Sequence, residues 1–323
     1  MPNTRNPRSG SLQFWPRKRS KRNTARIRTF ADSKDSKLTG FAGYKVGMAH
    51  VQVIETNKFS HRKGQEISIP VTIIECPPVK IASIKLYKKS LLSLDLKKEI
   101  LLSNDKNLSK KLTVSKKDKT SELDKLKPED YSEVRVLVYT QPNLIATSKK
   151  KPDVVELNVG GNTIEEKIKF VKENVGKDIL LTNTLAEGDL LDLKTITRGK
   201  GFQGPVKRFG IHIRESKSEK AIRNPGSLGP WKGQGGIMWR IPHAGKMGRH
   251  QRTEYNKQVL KIYEDSKEVN PKSGLHKYGV VKNPVVLIKG SVGGSKKRLV
   301  VMQNAMRVKK AQSLPTFEKI VVE

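Results

Sequence analysis

The sequence predicts a mainly β protein with α-helical insertions, in which five or six strands form a closed or nearly closed barrel. Apolar segments with strand character are separated by glycine or proline signals. Regular strand–helix–strand alternation is absent, which argues against a doubly wound sheet. The chain of 323 residues has 65 Lys+Arg against 31 Asp+Glu, a net charge of +34, and this excess is concentrated in two segments too polar to bury a core.

Strands are expected where apolar residues alternate or run continuously between turn signals. The segments are HVQVIET (50–56), ISIPVTIIEC (67–76), VKIASIKLY (79–87), VRVLVYT (134–140), VVELNV (154–159), LLDLKTITR (190–198) and VVLIKGSVGGSKKRLVVM (285–302). The last is expected to be a hairpin that turns at Gly293-Gly294.

Two helices and one loop are expected within the insertion. The lysine- and leucine-rich segment 88–103 has helical composition, and the Lys-Ser-Asp-rich segment 104–128 shows too little periodicity for either element. Thr163 and Glu166 have the spacing of a capping box, and Gly176 marks the end of that helix. Its apolar face is formed by Ile164, Ile168, Val171 and Val175.

The first basic segment is the amino-terminal arm. Residues 1–31 hold nine basic residues and no acidic one. Alone, such a segment is an extended, mobile arm. Phe14 and Trp15 lie among its cations, where aromatic rings stack either on bases or on the fold. A solvated tail is the other interpretation.

The second basic segment interrupts the predicted strands. Residues 194–261 carry a net charge of +13, 11 glycines and three histidines, with few apolar residues in either period. A segment of this length without a core is either disordered or ordered by something outside the chain. Closely spaced phosphates favour such a cation density, and glycine permits close approach of the backbone.

Several functional classes are excluded or disfavoured by the sequence. The chain has no apolar run of transmembrane length and no apolar core of a secretory signal within its first thirty residues. The single cysteine, Cys76, can form neither an internal disulfide nor a cysteine zinc site and is expected to be a small buried residue. An intracellular, reducing compartment fits, and no cofactor, metal or homo-oligomer is expected.

A dinucleotide motif is present but incomplete. GKGFQG matches the glycine pattern through Gly199, Gly201 and Gly204, yet the residues that follow signal no helix to hold a pyrophosphate. GSVGGSKKR lacks the ending of a P-loop, and His212, His243 and His250 lack the spacing of a metalloprotease helix. These histidines either donate hydrogen bonds to phosphate or ribose or pack within loops.

Three long motifs resemble one family closely. GYKVGMAH, TITRGKGFQGPVKRFGI and MWRIPHAGKMGRHQRTEYNKQV are similar to ribosomal protein three of the large subunit, of the archaeal/eukaryotic type. RSGSLQFWPRKRSKR and TQPNL with its KKKP run fit the same family, so the resemblance covers nearly the whole chain. The ending KIVVE is typical of archaeal members. Lys246 stands where relatives often have glutamine, so glutamine methylation cannot occur there.

The resemblance implies a β-barrel of the translation-protein type with two long basic RNA-binding extensions. Under this division the arm is 1–40 and the barrel begins with 41–87. An α/β insertion with returning strands (88–185) and a barrel strand (186–198) follow. A finger-like extension (199–258) then precedes the carboxy-terminal barrel strands (259–323).

The implied function is structural. The protein would be a non-enzymatic constituent of the large subunit, cytoplasmic in the ribosome, that binds large-subunit rRNA, supports early assembly and reaches toward the peptidyl-transferase centre. The resemblance implies that its neighbours include large-subunit proteins number fourteen and number twenty-four. No association with a membrane is expected. Alternatives from other classes are a free nucleic-acid-binding protein outside the ribosome and a dinucleotide-dependent enzyme.

The candidate RNA contacts are the cations of the two segments, two of the histidines and one tryptophan in a loop without apolar neighbours. They are Arg5, Arg8, Arg17, Lys18, Arg19, Lys21, Arg22, Arg198, Lys200, Lys207, Arg208, Arg214, Arg223, Trp231, Lys232, Arg240, His243, Lys246, Arg249, His250 and Arg252. The resemblance implies that Trp231 lies at the tip of the extension, and its ring is expected either to stack on a base or to fold back on the barrel. Trp239 is expected to pack against protein or the base of its own loop.

Overall fold

The computed structural model describes residues 10–114, 119–229, 239–308 and 313–321. The chain divides into two compact units. The first unit comprises Met1–Arg22 and Thr197–Gln251, and the second comprises Asn23–Ile196 and Arg252–Glu323. Both basic segments of the sequence therefore contribute to the first unit.

The described residues are mainly β, as the sequence predicts. The strands are β1 (Gly40–Ile54), β2 (Glu66–Glu75), β3 (Val79–Lys89), β4 (Leu94–Leu101), β5 (Glu133–Thr140), β6 (Val154–Asn158), β7 (Leu190–Ile196), β8 (Phe202–Gln203), β9 (Gly245–Lys246), β10 (Gln251–Tyr263), β11 (Val285–Lys289), β12 (Leu299–Asn304) and β13 (Thr316–Val321). The α-helices are α1 (Lys106–Ser109), α2 (Ile164–Asn174) and α3 (Pro205–Phe209). None of the helices in the described ranges is long and apolar enough to cross a bilayer.

Two sheets build the second unit. The larger has seven strands in the order β12-β7-β10-β11-β2-β1-β13, and β12 pairs with β1 as well. The six strands other than β13 therefore form a closed ring of pairings. The smaller sheet has the order β4-β3-β5-β6. Buried side chains of both sheets belong to one apolar cluster, which includes Phe41 of β1 and Val136 of β5.

Close strand packing explains the glycine at position 43 of β1. A Cβ atom on Gly43 would lie 2.6 Å from Cγ2 of Ile74 and 2.7 Å from Sγ of Cys76. Such distances are too short for any side chain, so the β1–β2 pairing requires glycine at this position. Cys76 is buried, as expected, and burial raises the pKa of its thiol well above the ordinary value.

Helix α2 forms as its sequence signals indicate. Thr163 accepts from the amide of Glu166 in a capping box whose reciprocal contact is also present. Ile168 and Val171 are buried in the apolar cluster, and Ile164 and Val175 pack against it. The positive φ of Gly176 (75°) follows the end of the helix.

The predicted helix over residues 88–103 is wrong. Residues Leu94–Leu101 form strand β4, which pairs antiparallel with β3 from Ser83 to Lys89. Lysine, leucine and glutamate favour helices, but this preference amounts to tenths of a kcal/mol per residue and yields to pairing across the sheet. Segment 104–128 is loop in its described part apart from α1 and short 3-10 turns at Thr120–Leu123 and Pro128–Asp130.

The predicted hairpin at Gly293-Gly294 is also wrong. β11 pairs with β10 and β2, whereas β12 pairs with β7 and β1. The two strands are close in sequence but not adjacent in the sheet, because glycines permit a tight turn without requiring one. Strand β3 belongs to the smaller sheet and continues to Lys89. The predicted boundary after residue 87 therefore falls inside this strand.

A buried carboxylate fixes one loop of the second unit. Glu75, at the end of β2, is fully buried. It accepts hydrogen bonds from the Tyr278 hydroxyl and, through Oε1, from the amides of Lys282 (3.1 Å) and Asn283 (3.2 Å) and from Nδ2 of Asn283 (2.7 Å). Burial, followed by the charge of Glu75, raises the pKa of Tyr278 well above its usual range.

Replacement of this carboxylate is expected to destabilise the second unit. In Glu75→Gln, an NH₂ group replaces one carboxylate oxygen, so at least one of the four donors loses its acceptor and faces an N–H. We expect this to lower the free energy of unfolding by about 2–3 kcal/mol. Urea denaturation measures this loss. Glu66→Gln, at the exposed start of the same strand, is the matched control and should leave the midpoint unchanged. Equal midpoints for the two variants would contradict a stabilising role for Glu75.

Candidate nucleic-acid interface

The first unit contains little regular structure among its described residues. Strands β8 and β9 form a two-stranded antiparallel ribbon, and α3 is a helix of five residues. Main-chain hydrogen bonds join the two sides of the segment, from Lys200 N to Met247 O (2.9 Å) and from Met247 N to Gly201 O (2.8 Å). The loops of this unit are therefore held by backbone contacts more than by a core.

One glycine of this segment cannot be replaced without movement of the backbone. Gly248 has a φ of +77°, and a Cβ atom there would lie 2.0 Å from the carbonyl oxygen of Arg198. The left-handed conformation and the close approach both require glycine. The two chain segments that carry Arg198 and Arg249 are thereby brought together.

An aromatic cluster attaches the amino-terminal arm to the second basic segment (194–261), the central segment of the chain. Trp15 stacks on Phe209 with ring centroids 5.6 Å apart and meets Trp239 edge-on at 5.6 Å. The guanidinium of Arg17 lies 4.1 Å from the centroid of Phe209. Such contacts contribute beyond the area they bury. Of the two alternatives for the arm's aromatic residues, Trp15 packs on the fold, and Trp239 packs against protein as expected.

Backbone hydrogen bonds extend this attachment along the arm. The amide of Ser20 donates to the Arg249 carbonyl (2.7 Å), and Nε of Arg249 donates to the Ser20 carbonyl (3.1 Å). Nη1 of Arg17 donates to the carbonyl of Arg208 (2.9 Å). The arm around residues 15–20 thus has a defined path against the central segment.

His250 is a positioning residue in this arrangement. Its ring is buried, Nε2 accepts from the amide of Gly248 (3.1 Å), and Nδ1 lies 2.8 Å from the carbonyl of Lys18. A nitrogen that accepts an N–H carries no proton, so the proton is on Nδ1 and is donated to Lys18. The neutral ring connects arm and loop, and both of its nitrogens contact backbone groups.

A cationic cleft lies beside the aromatic cluster. Its volume is about 470 Å³. Six basic residues and one serine line it: Arg17, Lys18, Arg19, Ser20, Lys21, Lys246 and Arg249. The lining contains no carboxylate, so the cleft attracts anions through several charges at once.

Arg208 supports the same region from within the protein. Its Nη1 donates to the His243 carbonyl (2.8 Å) and its Nε to the Lys246 carbonyl (3.2 Å). Burial, followed by the positive charge of Arg17, lowers the pKa of the Arg208 guanidinium. Two like charges are therefore held close together, and a bound anion would relieve their repulsion.

The structure brings six of the candidate RNA contacts together in the cleft and distributes the others. Lys207, Arg214, Arg223 and Arg240 are exposed elsewhere in the first unit, as are Arg22, Arg198 and Lys200. Arg208 and His243 are half-buried, and Arg252 lies in β10 of the second unit. Arg5, Arg8, Trp231 and Lys232 lie outside the described residues.

The expectation of no helix after GKGFQG is wrong. Gly204 is the N-cap of α3, and Pro205 occupies its first turn. The segment still lacks dinucleotide geometry, because β8 pairs antiparallel with β9 and, within the described ranges, no parallel strand–helix–strand unit surrounds it. Among the described residues, no group of three or more His, Cys, Asp or Glu could hold a metal ion.

Two features of the site were beyond sequence reasoning. Phe209 lies within the motif TITRGKGFQGPVKRFGI, but its stacking with Trp15 joins positions almost 200 residues apart. Ser20 carries no distinctive signal, yet its backbone connects the arm to Arg249. The presence of tryptophan in an otherwise cationic arm was the one available clue.

Comparison with known proteins places this arrangement in a family. A family model described as Ribosomal protein L3 matches residues 1–321. The large ribosomal subunit protein uL3 of Archaeoglobus fulgidus is 44% identical over 310 residues, which cover 94% of this chain and 93% of the relative. The proteins of the same name from Methanothermobacter thermautotrophicus and Methanocaldococcus jannaschii are each 44% identical, over 93% and 94% of this chain and 92% of each relative. The chain therefore belongs to the ribosomal protein L3 family.

Proposed function

We propose that the protein is a structural constituent of the large ribosomal subunit that binds rRNA chiefly through its first unit. The observation that carries this proposal is the cleft lined by six basic side chains and no carboxylate. Its relatives are named as large-subunit proteins, and the family is structural and not enzymatic. Neither a free nucleic-acid-binding protein nor a dinucleotide-dependent enzyme accounts for similarity along the whole chain.

Binding follows from the charge and from the preformed path of the arm. Phosphates that enter the cleft displace condensed counterions, which supplies free energy that falls as salt rises. The aromatic cluster and His250 hold the arm in place before RNA arrives, so less conformational entropy is lost on binding. An anion bound beside Arg17 in the cleft would also relieve the repulsion between Arg17 and Arg208.

The finer architecture belongs to the same proposal. We infer that the ring of six strands is a β-barrel of the translation-protein type that serves as the docking body. The arm (1–40) and the central extension (199–258) would follow rRNA toward the peptidyl-transferase centre, with Trp231 at the tip of the extension. The pairing order of the strands and the clustering of cations in the first unit support this division.

Protein neighbours follow from the family rather than from a contact on this chain. We propose large-subunit proteins number fourteen and number twenty-four as neighbours, with the second unit as their docking surface. The first unit would bind RNA and not these proteins, because its cleft is lined by positive charges. Cross-linking of assembled subunits, followed by identification of the linked peptides, tests this assignment.

Removal of residues 1–22 is expected to weaken incorporation into large subunits. The deletion takes away Trp15 and four cations of the cleft but stops before Ala25 and Ile27, which are buried in the second unit. The second unit should therefore keep its unfolding midpoint. The measurement is the fraction of protein that sediments with large subunits after a moderate salt wash. Unchanged incorporation would contradict an RNA-anchoring role for the arm.

A further inference from the structure

The loop between β1 and β2 displays an aromatic ring to solvent. Phe59, within residues 55–65, is 97% exposed and is the most exposed aromatic side chain in the described part of the chain. The loop lies in the second unit and belongs to neither basic segment. A fully hydrated phenylalanine contributes nothing to folding, so its position calls for another explanation.

Hydrogen bonds give the backbone of this loop a defined conformation. Its base is closed by hydrogen bonds from Gly64 N to Glu55 O (2.9 Å) and from Glu55 N to Gln65 O (3.1 Å). The amide of Phe59 donates to Oδ1 of Asn57 (3.1 Å), and Gly64 takes a φ of +80° to complete the turn. The ring is thus presented from a defined backbone, which lowers the entropic cost of binding.

The charges around Phe59 favour one kind of partner. Lys58, His61, Arg62 and Lys63 are all exposed beside it. The acidic residues lie at the base of the loop, where Oε1 of Glu55 accepts from the amide of Asn57 (3.0 Å). A ring flanked by cations matches an unpaired base between phosphates, because every base offers a face for stacking. An apolar protein pocket would accept the ring but would leave these cations without partners.

We propose that the β1–β2 loop is a further RNA-binding site, in which Phe59 stacks on an unpaired base of large-subunit rRNA. Lys58, Arg62 and Lys63 neutralise the flanking phosphates. The inference rests on the proposed function, but it assigns RNA binding to the second unit as well. Each unit would then contribute a surface to rRNA binding, and the surface on the second unit recognises a single-stranded element.

Substitutions that separate the aromatic face from apolar bulk test this site. With the full chain and transcribed large-subunit rRNA, Phe59→Ala and Phe59→Leu are both expected to lower affinity about tenfold, equivalent to about 1.4 kcal/mol, because both remove stacking on one base. Phe59→Trp should retain or raise it. Leu91→Ala, which removes a fully exposed side chain at the β3–β4 turn, is the matched control and should leave affinity unchanged.

The outcomes separate this inference from the proposed function. If the wild-type chain does not bind rRNA, the proposed function fails. If it binds and Phe59→Ala or Phe59→Leu binds equally well, stacking by Phe59 is wrong while the proposed function stands. A photo-cross-linking residue placed at position 59 in assembled large subunits should label RNA. Label on a ribosomal protein would identify a protein pocket and overturn the proposal.

Discussion

Replacement of Arg19, Lys21 and Lys246 together by glutamine is expected to lower affinity for large-subunit rRNA about 100-fold at about 0.1 M salt. The three side chains are exposed and line the cationic cleft, so their loss leaves the packing of the first unit intact. Each phosphate contact contributes about 0.7 to the slope of log affinity against log salt on single strands. The slope should therefore fall by about 2 in a salt titration of the binding constant.

A second triple variant distinguishes the contribution of the cleft to affinity from that of the protein's net charge. Lys88, Lys89 and Lys97 are exposed near the β3–β4 turn of the second unit, and their replacement by glutamine changes the net charge equally. Because they lie outside the cleft, this variant should keep most of the salt slope. Equal losses in the two triple variants would mean that total charge, and not the cleft, sets the affinity.

Replacement of Trp15 by alanine is expected to release the amino-terminal arm from the first unit. The ring contacts both Phe209 and Trp239, and truncation of a fully buried tryptophan costs about 3–5 kcal/mol. Trp15 is half-buried, so the expected cost is about 2 kcal/mol, equivalent to about a 30-fold change in the opening equilibrium. Native-state hydrogen exchange measures it at the Ser20 amide, which is bonded to Arg249.

The conservative variant and the second unit provide the controls. Trp15→Phe retains a ring that can stack on Phe209 and should restore most of the protection at Ser20. Amides of β1 and β2 in the second unit should exchange at unchanged rates in both variants. Unaltered exchange at Ser20 in Trp15→Ala would show that the backbone contacts of the arm suffice without the aromatic cluster.

Local patterns predicted some elements well because their causes are local. The capping box of Thr163 and Glu166 and the apolar face of α2 form from contacts within four residues, and the structure contains both. Continuous apolar segments predicted β2, β5 and β7, because a strand buried in a sheet requires apolar residues along its own length. Composition also gave the concentration of charge, which requires no knowledge of the fold.

Patterns failed where distant segments decide the outcome. Residues 94–101 have helical composition, but β3 offers a free edge and the segment becomes β4. The segments at 285–289 and 299–304 are neighbours in sequence, yet their partners are β10 and β2 for one and β7 and β1 for the other. Pairing with a remote strand exceeds the small preference of a local sequence.

Composition alone indicates that two basic segments are too polar to bury a core, and the long motifs identify the family. How those segments meet depends on contacts that form in the folded chain. Three arrangements join positions more than 190 residues apart. Trp15 stacks on Phe209, His250 contacts the carbonyl of Lys18, and Lys21 and Lys246 line one cleft. Charge and composition are properties of a segment alone, whereas a binding cleft is a property of the contacts between segments.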